Sequence, residues 1–312
     1  MVGSPWVPVT DLAFMIHFVN ETGPSLAFGA DGLKCWQSYI PQLAIEHVFV
    51  LHAIVATSAL HQAADAALDP LSRDQFLEIA RMRRIAALDL FIPALSKPSR
   101  ELCDALITCN MLLSVMEFGW QSLDDGRVRE DGADESAATP TRITAFIRAL
   151  KFCRGIALIQ EDIGQWLFHG PLYCIWRQPD LDSLPDLSPN ASRAFQNLVA
   201  QTDTLREQSA STGDLELQAE VTAYEFELPR LHKVCKCMCE EEWQAHCLEW
   251  PVHMDARFDN MLQRGDKLAL SMLAFWASCV AVLSHRWWAR PWSFSVLQEV
   301  QLQLPGVEVG FV

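Results

Sequence analysis

The sequence predicts an all-α protein of about ten helices, soluble and organised as one large helical domain. Three observations carry this. Apolar residues recur at helical spacing through most of the 312 residues. No stretch alternates apolar and polar residues with the period of a strand, and Gly and Pro gather between the periodic segments rather than inside them. Half of the residues are apolar, enough to fill a substantial core.

Residues 1–44 hold Pro5, Pro8, Pro24 and Pro41 and read as a lead-in with one short helix near Asp11 to Asn20. Residues 45–304 read as the helical domain and 305–312 as a tail. From Ile45 to Ala66 the chain is apolar almost all round, as a central helix is. His52 and His61 lie on it, nine residues apart and so on opposite sides. They cannot share a ligand, and both read as structural histidines, with Asp65 one turn beyond His61. In the next helix, 74–95, Phe76, Ala80, Ala87, Leu88 and Phe91 face inward while Arg81 and Arg84 face water. Ser99 caps a third helix that runs to about Trp120, with Leu102, Leu106, Cys109, Leu113 and Met116 on one stripe.

Residues 121–140 carry six acids and no bulky apolar residue after Val128, the composition of a solvated, disordered loop. Asp124 and Asp125 belong to that solvated run rather than to a metal site. Further helices are expected at 142–162, 191–209, 214–247, shortly after Pro251, at 267–285 and at 293–303. Breaks fall near Gly164 to Pro171 and over the proline-rich 178–190. The run Leu268 to Leu283 is uncharged over 16 residues. A membrane span needs about 20, so this run reads as a core helix and no membrane span is expected.

The formal net charge is −15. Duplex DNA is bound by neutralising its phosphates with Lys and Arg, and here the densest basic group is only Arg81, Arg83 and Arg84. No direct nucleic-acid binding by this chain alone is expected. The N-terminal sequence lacks the basic and apolar regions of a signal peptide. The ten cysteines therefore read as free thiols in a reducing interior, and the sequons at Asn20 and Asn190 as incidental.

The strong catalytic motifs are absent: there is no G-x-S-x-G, no P-loop, no dinucleotide Gly fingerprint and no H-E-x-x-H. No C-x-x-C occurs either. His232, Cys235 and Cys239 share one helix face but lack a second ligand pair, so neither metal nor cofactor is expected. The segment HRWWARPW, His285 to Trp292, admits two readings: a cap over an apolar pocket, with Arg stacked on indole, or a helix end locked onto its neighbours.

Taken together, these segments resemble the regulatory region of fungal zinc-cluster transcription factors, in the branch of the sterol uptake control proteins. FVLHAIVATSALHQAAD, Phe49 to Asp65, is similar to that family's apolar helix ending in Ala-Leu-His. Phe76, Ala80, Ala87, Leu88 and Phe91 fall where the family has an aromatic, an Ala, an Ala-Leu pair and a second aromatic. RELCDALITCNMLLSVMEFGW follows in register. RGIALI with Trp166 and Gly170-Pro171, then Trp250-Pro251, then the 267–285 helix with Trp287-Trp288, resemble later blocks. Gly265-Asp266-Lys267 stands where the family has His-Pro, and no zinc cluster is present.

The resemblance implies a regulator, nuclear or cytoplasmic, that senses a small apolar ligand of sterol, terpenoid or polyketide type, in control of a fungal metabolic pathway. Apolar helices near the aromatic clusters nominate Met111, Val115, Phe118, Trp120, Leu273, Trp276 and Trp288 as its lining. Two alternatives stay open. One is a cofactor-independent cyclase or isomerase on the same scaffold, with His169, Glu117 and His285 as its acid–base candidates. The other is an interaction module whose ligand is a protein partner.

Overall fold

The computed structural model describes residues 9–65, 68–124, 142–167 and 170–304. It is all-α, with no strand among the described residues. Its contacts gather into two compact units. The first takes residues up to 130, 155–177 and 286–288; the second takes 131–154, 178–285 and 289 onward.

The first unit opens with α1 (Val9–His17), which widens at Phe18–Thr22 and continues as α2 (Gly23–Leu26). The same device joins α3 (Gly29–Lys34) through Cys35–Tyr39 to α4 (Ile40–Glu46). These elements replace the expected lead-in. Phe14, Phe18, Trp36 and Ile40 are buried, and Pro24 and Pro41 lie just after the widened turns, within helical runs whose preceding residues Thr22 and Tyr39 are themselves helical. The expected 45–66 helix divides at His47, whose backbone is extended (φ −126°, ψ 102°). Ile45 therefore ends on α4, 83% exposed, and the central helix is α5 (Val48–Ala63), buried from Ala53 to Leu60 without interruption.

Then come α6 (Pro70–Leu95) and α7 (Arg100–Asp124), both packed on α5. Asp69 caps α6 by accepting from the Ser72 amide. The helix after Ser99 thus runs four residues beyond Trp120; residues 125–141, most of the expected loop, lie outside those described. Next, α8 (Arg142–Leu167) runs through the break expected at Gly164, and α9 (Tyr173–Trp176) is a single turn. The N-terminal part of α8 belongs to the second unit and its C-terminal part to the first.

The second unit adds α10 (Pro189–Thr212), α11 (Leu215–Cys237), α12 (Glu249–Val252), α13 (Ala256–Gln263), α14 (Lys267–Val280) and α15 (Arg290–Gln303). Side chains of Ser188, Asp214, Asp255 and Asp266 accept from backbone amides at the starts of α10, α11, α13 and α14. Gly213, at φ 69°, ends α10 in the left-handed conformation that a side chain would strain. The long 214–247 helix expected from the sequence stops at Cys237. The Gln244 amide donates to the Met238 carbonyl at 3.2 Å, satisfying an acceptor at the helix end, and a tighter helical stretch spans Glu241–Leu248. Pro93 and Pro229 lie inside α6 and α11, against the expected punctuation. The hydrogen bond lost at Pro229 is offset by burial of Leu228, Leu231 and Val234 around it. Every residue of α14 from Leu268 to Val280 is buried except Ser271, which is the pattern of a core helix.

Candidate functional site

In the first unit, the end of α5 meets a group of polar and aromatic side chains from distant parts of the sequence. His61 stacks on Trp287, ring centroids 4.9 Å apart and 22° from parallel. Thr22 Oγ1 lies 3.0 Å from His61 Nδ1; in the neutral ring the hydroxyl donates to Nδ1 when the proton is on Nε2 and accepts from it when the proton is on Nδ1. The Trp287 indole donates to Ser25 Oγ at 2.9 Å, and Ser25 in turn donates to the Thr22 carbonyl at 2.6 Å. Arg286 donates to the Ser25 carbonyl at 2.7 Å, with its guanidinium 4.0 Å from the centroid of the Phe28 ring.

Burial brings the pKa of His61 down to about 4, helped by the neighbouring His17 and opposed by Asp65. His17, 5.3 Å away between ring centroids, is also lowered by burial, with Glu21 opposing. Its Nε2 is buried and finds no hydrogen-bond partner among the described residues.

Gly119 lets this group close. A Cβ there would stand 2.6 Å from the Trp287 ring and 3.0 Å from Leu60. Gly119→Ala is therefore expected to destabilise the protein by about 1–3 kcal/mol through overpacking, outweighing the roughly 1 kcal/mol gained in helix propensity. Urea denaturation followed by circular dichroism checks this, and a more stable variant would refute the close approach.

Along α7, Asp104, Thr108, Met111, Val115 and Phe118 share one face. The Tyr39 hydroxyl donates to Asp104. Buried hydroxyls elsewhere bond back to the carbonyl four residues earlier: Thr57 to Ala53 at 2.8 Å, Thr202 to Leu198 at 3.0 Å and Ser278 to Ala274 at 2.9 Å. Thr108 does not. It is fully buried, and its Oγ1 has no partner among the described residues; neither has the Asn110 side-chain oxygen, itself buried. Buried polar atoms are nearly always satisfied, so each marks a place where a hydrogen-bonding group is expected, Thr108 on this face of α7 and Asn110 on another.

The second unit is centred on Trp276 of α14. Its indole donates to the Cys247 carbonyl at 2.8 Å, and its ring lies 5.1 Å from Phe146 and 6.3 Å from Trp250. Phe146 also meets Trp292 at 5.2 Å. Nearby, Arg154 forms a two-pronged ion pair with Asp259 and donates to the Pro251 and Val252 carbonyls, both at 2.9 Å. Burial pushes the Glu249 carboxyl up, but hydrogen bonds from His246 and Lys233 overcome this and hold it at about 2.

The nominated lining residues divide between the units: Met111, Val115, Phe118, Trp120 and Trp288 in the first, Leu273 and Trp276 in the second. Phe118, Leu273, Trp276 and Trp288 are buried, and the other three are half-buried. Of the acid–base candidates, Glu117 accepts from Arg84 at 2.8 Å and His285 Nδ1 lies 3.0 Å from the Val282 carbonyl; His169 lies outside the described residues.

His232 stacks on Phe195 at 4.5 Å, while burial, then the adjacent Cys279 thiol, push the Cys235 thiol upward. In HRWWARPW, Arg286 of the two arginines stacks on Phe28, which is not an indole. The sequence reading passed over Thr108, Asn110 and His17. For the first two the only signal is a polar pair, Thr108 and Asn110, inside an apolar run; for His17 there is none.

The profile of the fungal specific transcription factor domain matches residues 14–128. Two known proteins are similar to the chain. Sterol uptake control protein 2 of Saccharomyces cerevisiae is 29% identical over 106 residues, 33% of this chain and 11% of that protein. Sterol uptake control protein 2 of Candida albicans is 23% identical over 276 residues, 84% of this chain and 35% of that protein. The chain thus spans about a third or less of the length of these relatives. The matched stretch runs from within α1 past α7 and includes the apolar α5 ending in Ala59-Leu60-His61, so it is this part of the molecule that is similar to the fungal specific transcription factor domain.

Proposed function

We propose that this chain is the regulatory part of a fungal transcription regulator, and that it responds to a small, largely apolar ligand bearing a hydroxyl or carbonyl group. The observation that carries the ligand reading is the unsatisfied Thr108 hydroxyl, buried within the matched stretch 14–128 and one helical turn from Met111. Apolar ligands are oriented by a few well-placed polar groups in an otherwise apolar setting. Thr108 Oγ1 suits that task, and Met111, Val115 and Phe118 supply apolar surface on the same face. The names of the two relatives favour a sterol-like molecule. At a net charge of −15 the chain is suited to regulation rather than to DNA contact. The proposed setting is the nucleus or the cytoplasm.

Thr108→Val tests this in two directions. Without ligand, replacing an unsatisfied hydroxyl by a methyl of similar shape is expected to leave stability unchanged or raise it by about 1 kcal/mol. A sterol, terpenoid or polyketide that raises the melting temperature of the parent chain should bind the variant about two- to tenfold more weakly, the usual worth of one hydrogen bond. A stabilising compound that binds both proteins equally would remove Thr108 from the site. A broad panel with no stabilising compound would remove the ligand.

A further inference from the structure

The face of α7 that holds Thr108 carries a second polar side chain at the same end. Asp104 lies one turn before Thr108 and is half-buried, while Met111, Val115 and Phe118 continue the face with apolar surface. Side chains on a helix lean toward its N-terminus, so Thr108 leans over the turn that Asp104 occupies. A buried hydroxyl at such a position ordinarily bonds to the carbonyl four residues back, here that of Asp104. Thr108 does not, and its Oγ1 is left without a partner one turn from a carboxylate.

The two oxygens of that carboxylate differ. Oδ2 accepts from the Tyr39 hydroxyl. Burial, then the bond to Asp104, push the Tyr39 pKa upward, so the phenol keeps its proton and stays a donor. No donor among the described residues reaches Oδ1. A Cβ on Gly170 would stand 3.2 Å from both oxygens, so the missing side chain there leaves the carboxylate uncovered on that side.

A carboxylate accepts and cannot donate, whereas a hydroxyl such as that of Thr108 does either. A ligand group that gives a proton to Asp104 Oδ1 and takes one from Thr108 satisfies both. An alcohol does so. A ketone, aldehyde or ester presents lone pairs alone: it accepts from Thr108 but meets the carboxylate with like partial charge. From Thr108 to Phe118 the helix rises about 15 Å, so the apolar part of the ligand runs in one direction from its polar group.

We propose that Asp104 sets the ligand specificity of this face, selecting an alcohol, with its hydroxyl at one end of an extended apolar skeleton, over the corresponding carbonyl compound. The inference rests on the ligand reading of Thr108 given above. Thr108 alone serves either class, and Asp104 separates them.

Matched pairs test this on the whole chain by thermal shift and titration: cholestanol with cholestanone, farnesol with farnesal, and the alcohol and carbonyl forms of any other compound that stabilises the chain. The alcohol is expected to bind about ten- to hundredfold more tightly than its partner, the worth of one hydrogen bond to a charged acceptor. Asp104→Asn keeps the shape and the bond from Tyr39 but adds an N–H that can donate to a carbonyl, so the preference should fall to about twofold or less. Tyr39→Phe keeps the carboxylate and should keep the preference. If the Tyr39–Asp104 pair were structural only, the two variants would behave alike. Each preference is a ratio within one protein, so a loss of stability does not imitate it. Equal binding of both forms by the parent, or an undiminished preference in Asp104→Asn, overturns the role of Asp104, and Thr108 keeps its own if Thr108→Val still weakens both forms. A panel in which no compound binds overturns the ligand reading and this inference with it.

Discussion

Lowering the pH from 7 to 5 is expected to remove about 2 kcal/mol of stability through His61 alone. The ring has an ordinary pKa of 6.5 when unfolded and about 4 in the folded protein. Between those values the unfolded chain holds a proton that the folded chain refuses, so the folded state loses ground as pH falls. The contribution is complete above 6.5, declines through the window and is gone below 4. At pH 5 most of the linked free energy has been lost, about 2 kcal/mol on the usual relation between proton binding and stability. His17, His52 and His232 are also lowered, in each case mainly by burial, and add in the same direction. Urea denaturation at a series of pH values measures the slope. His61→Gln keeps a group able to accept from Thr22 but does not titrate, so its curve should be flatter than the parent's by about that amount. Parallel curves for the two proteins would mean that His61 titrates freely in the folded state.

The largest single loss is expected at Trp276. Removing a buried indole costs about 3–5 kcal/mol in transfer and cavity terms, and Trp276→Ala also leaves the Cys247 carbonyl without its donor. The total should approach the upper end of that range, a large part of the 5–15 kcal/mol by which domains are usually stable. Trp276→Phe keeps the contacts with Phe146 and Trp250 and loses chiefly the hydrogen bond, about 1–2 kcal/mol. Denaturant midpoints followed by circular dichroism check both. An alanine variant as stable as the parent would show that this indole is not held as described. Because Trp276 bears so much of the packing, any change in ligand response on replacing it has to be judged against the change in folding.

What could be read from the sequence was decided locally. Helical period fixed the class, and α6, α7 and α14 begin within a few residues of where the pattern places them. The expectations that failed depended on tertiary partners. The stretch from Ile45 to Ala66 is apolar on every side, so nothing in its period marks the turn at His47. Likewise, the end of α11 at Cys237 is stabilised by Gln244, which helical period does not identify as a cap. The N-terminal 44 residues look irregular because proline ordinarily breaks a helix, whereas Pro24 and Pro41 lie within helical runs that continue through widened turns.

The site shows the same division. HRWWARPW stood out by composition alone, but that Trp287 would lie on His61 and Arg286 on Phe28 required folding to bring opposite ends of the chain together. Thr108 looked ordinary in a helix full of small and apolar residues. Its distinction is a missing hydrogen bond, which no sequence displays.

The path of the chain between its two units has a practical outcome for dissecting the protein. The first unit is assembled from three separate stretches, and the last of them is only Arg286 to Trp288. A fragment cut at residue 128, where the family match ends, would keep His61, Thr22 and Ser25 but would lack the indole that covers one face of the imidazole and the guanidinium that holds the Ser25 carbonyl. A stop codon far downstream, anywhere before Arg286, would remove the same two side chains from the first unit, besides part of the second. Loss of function in a chain shortened before Arg286 is therefore no evidence of a separable C-terminal activity, because the surroundings of His61 are lost with it.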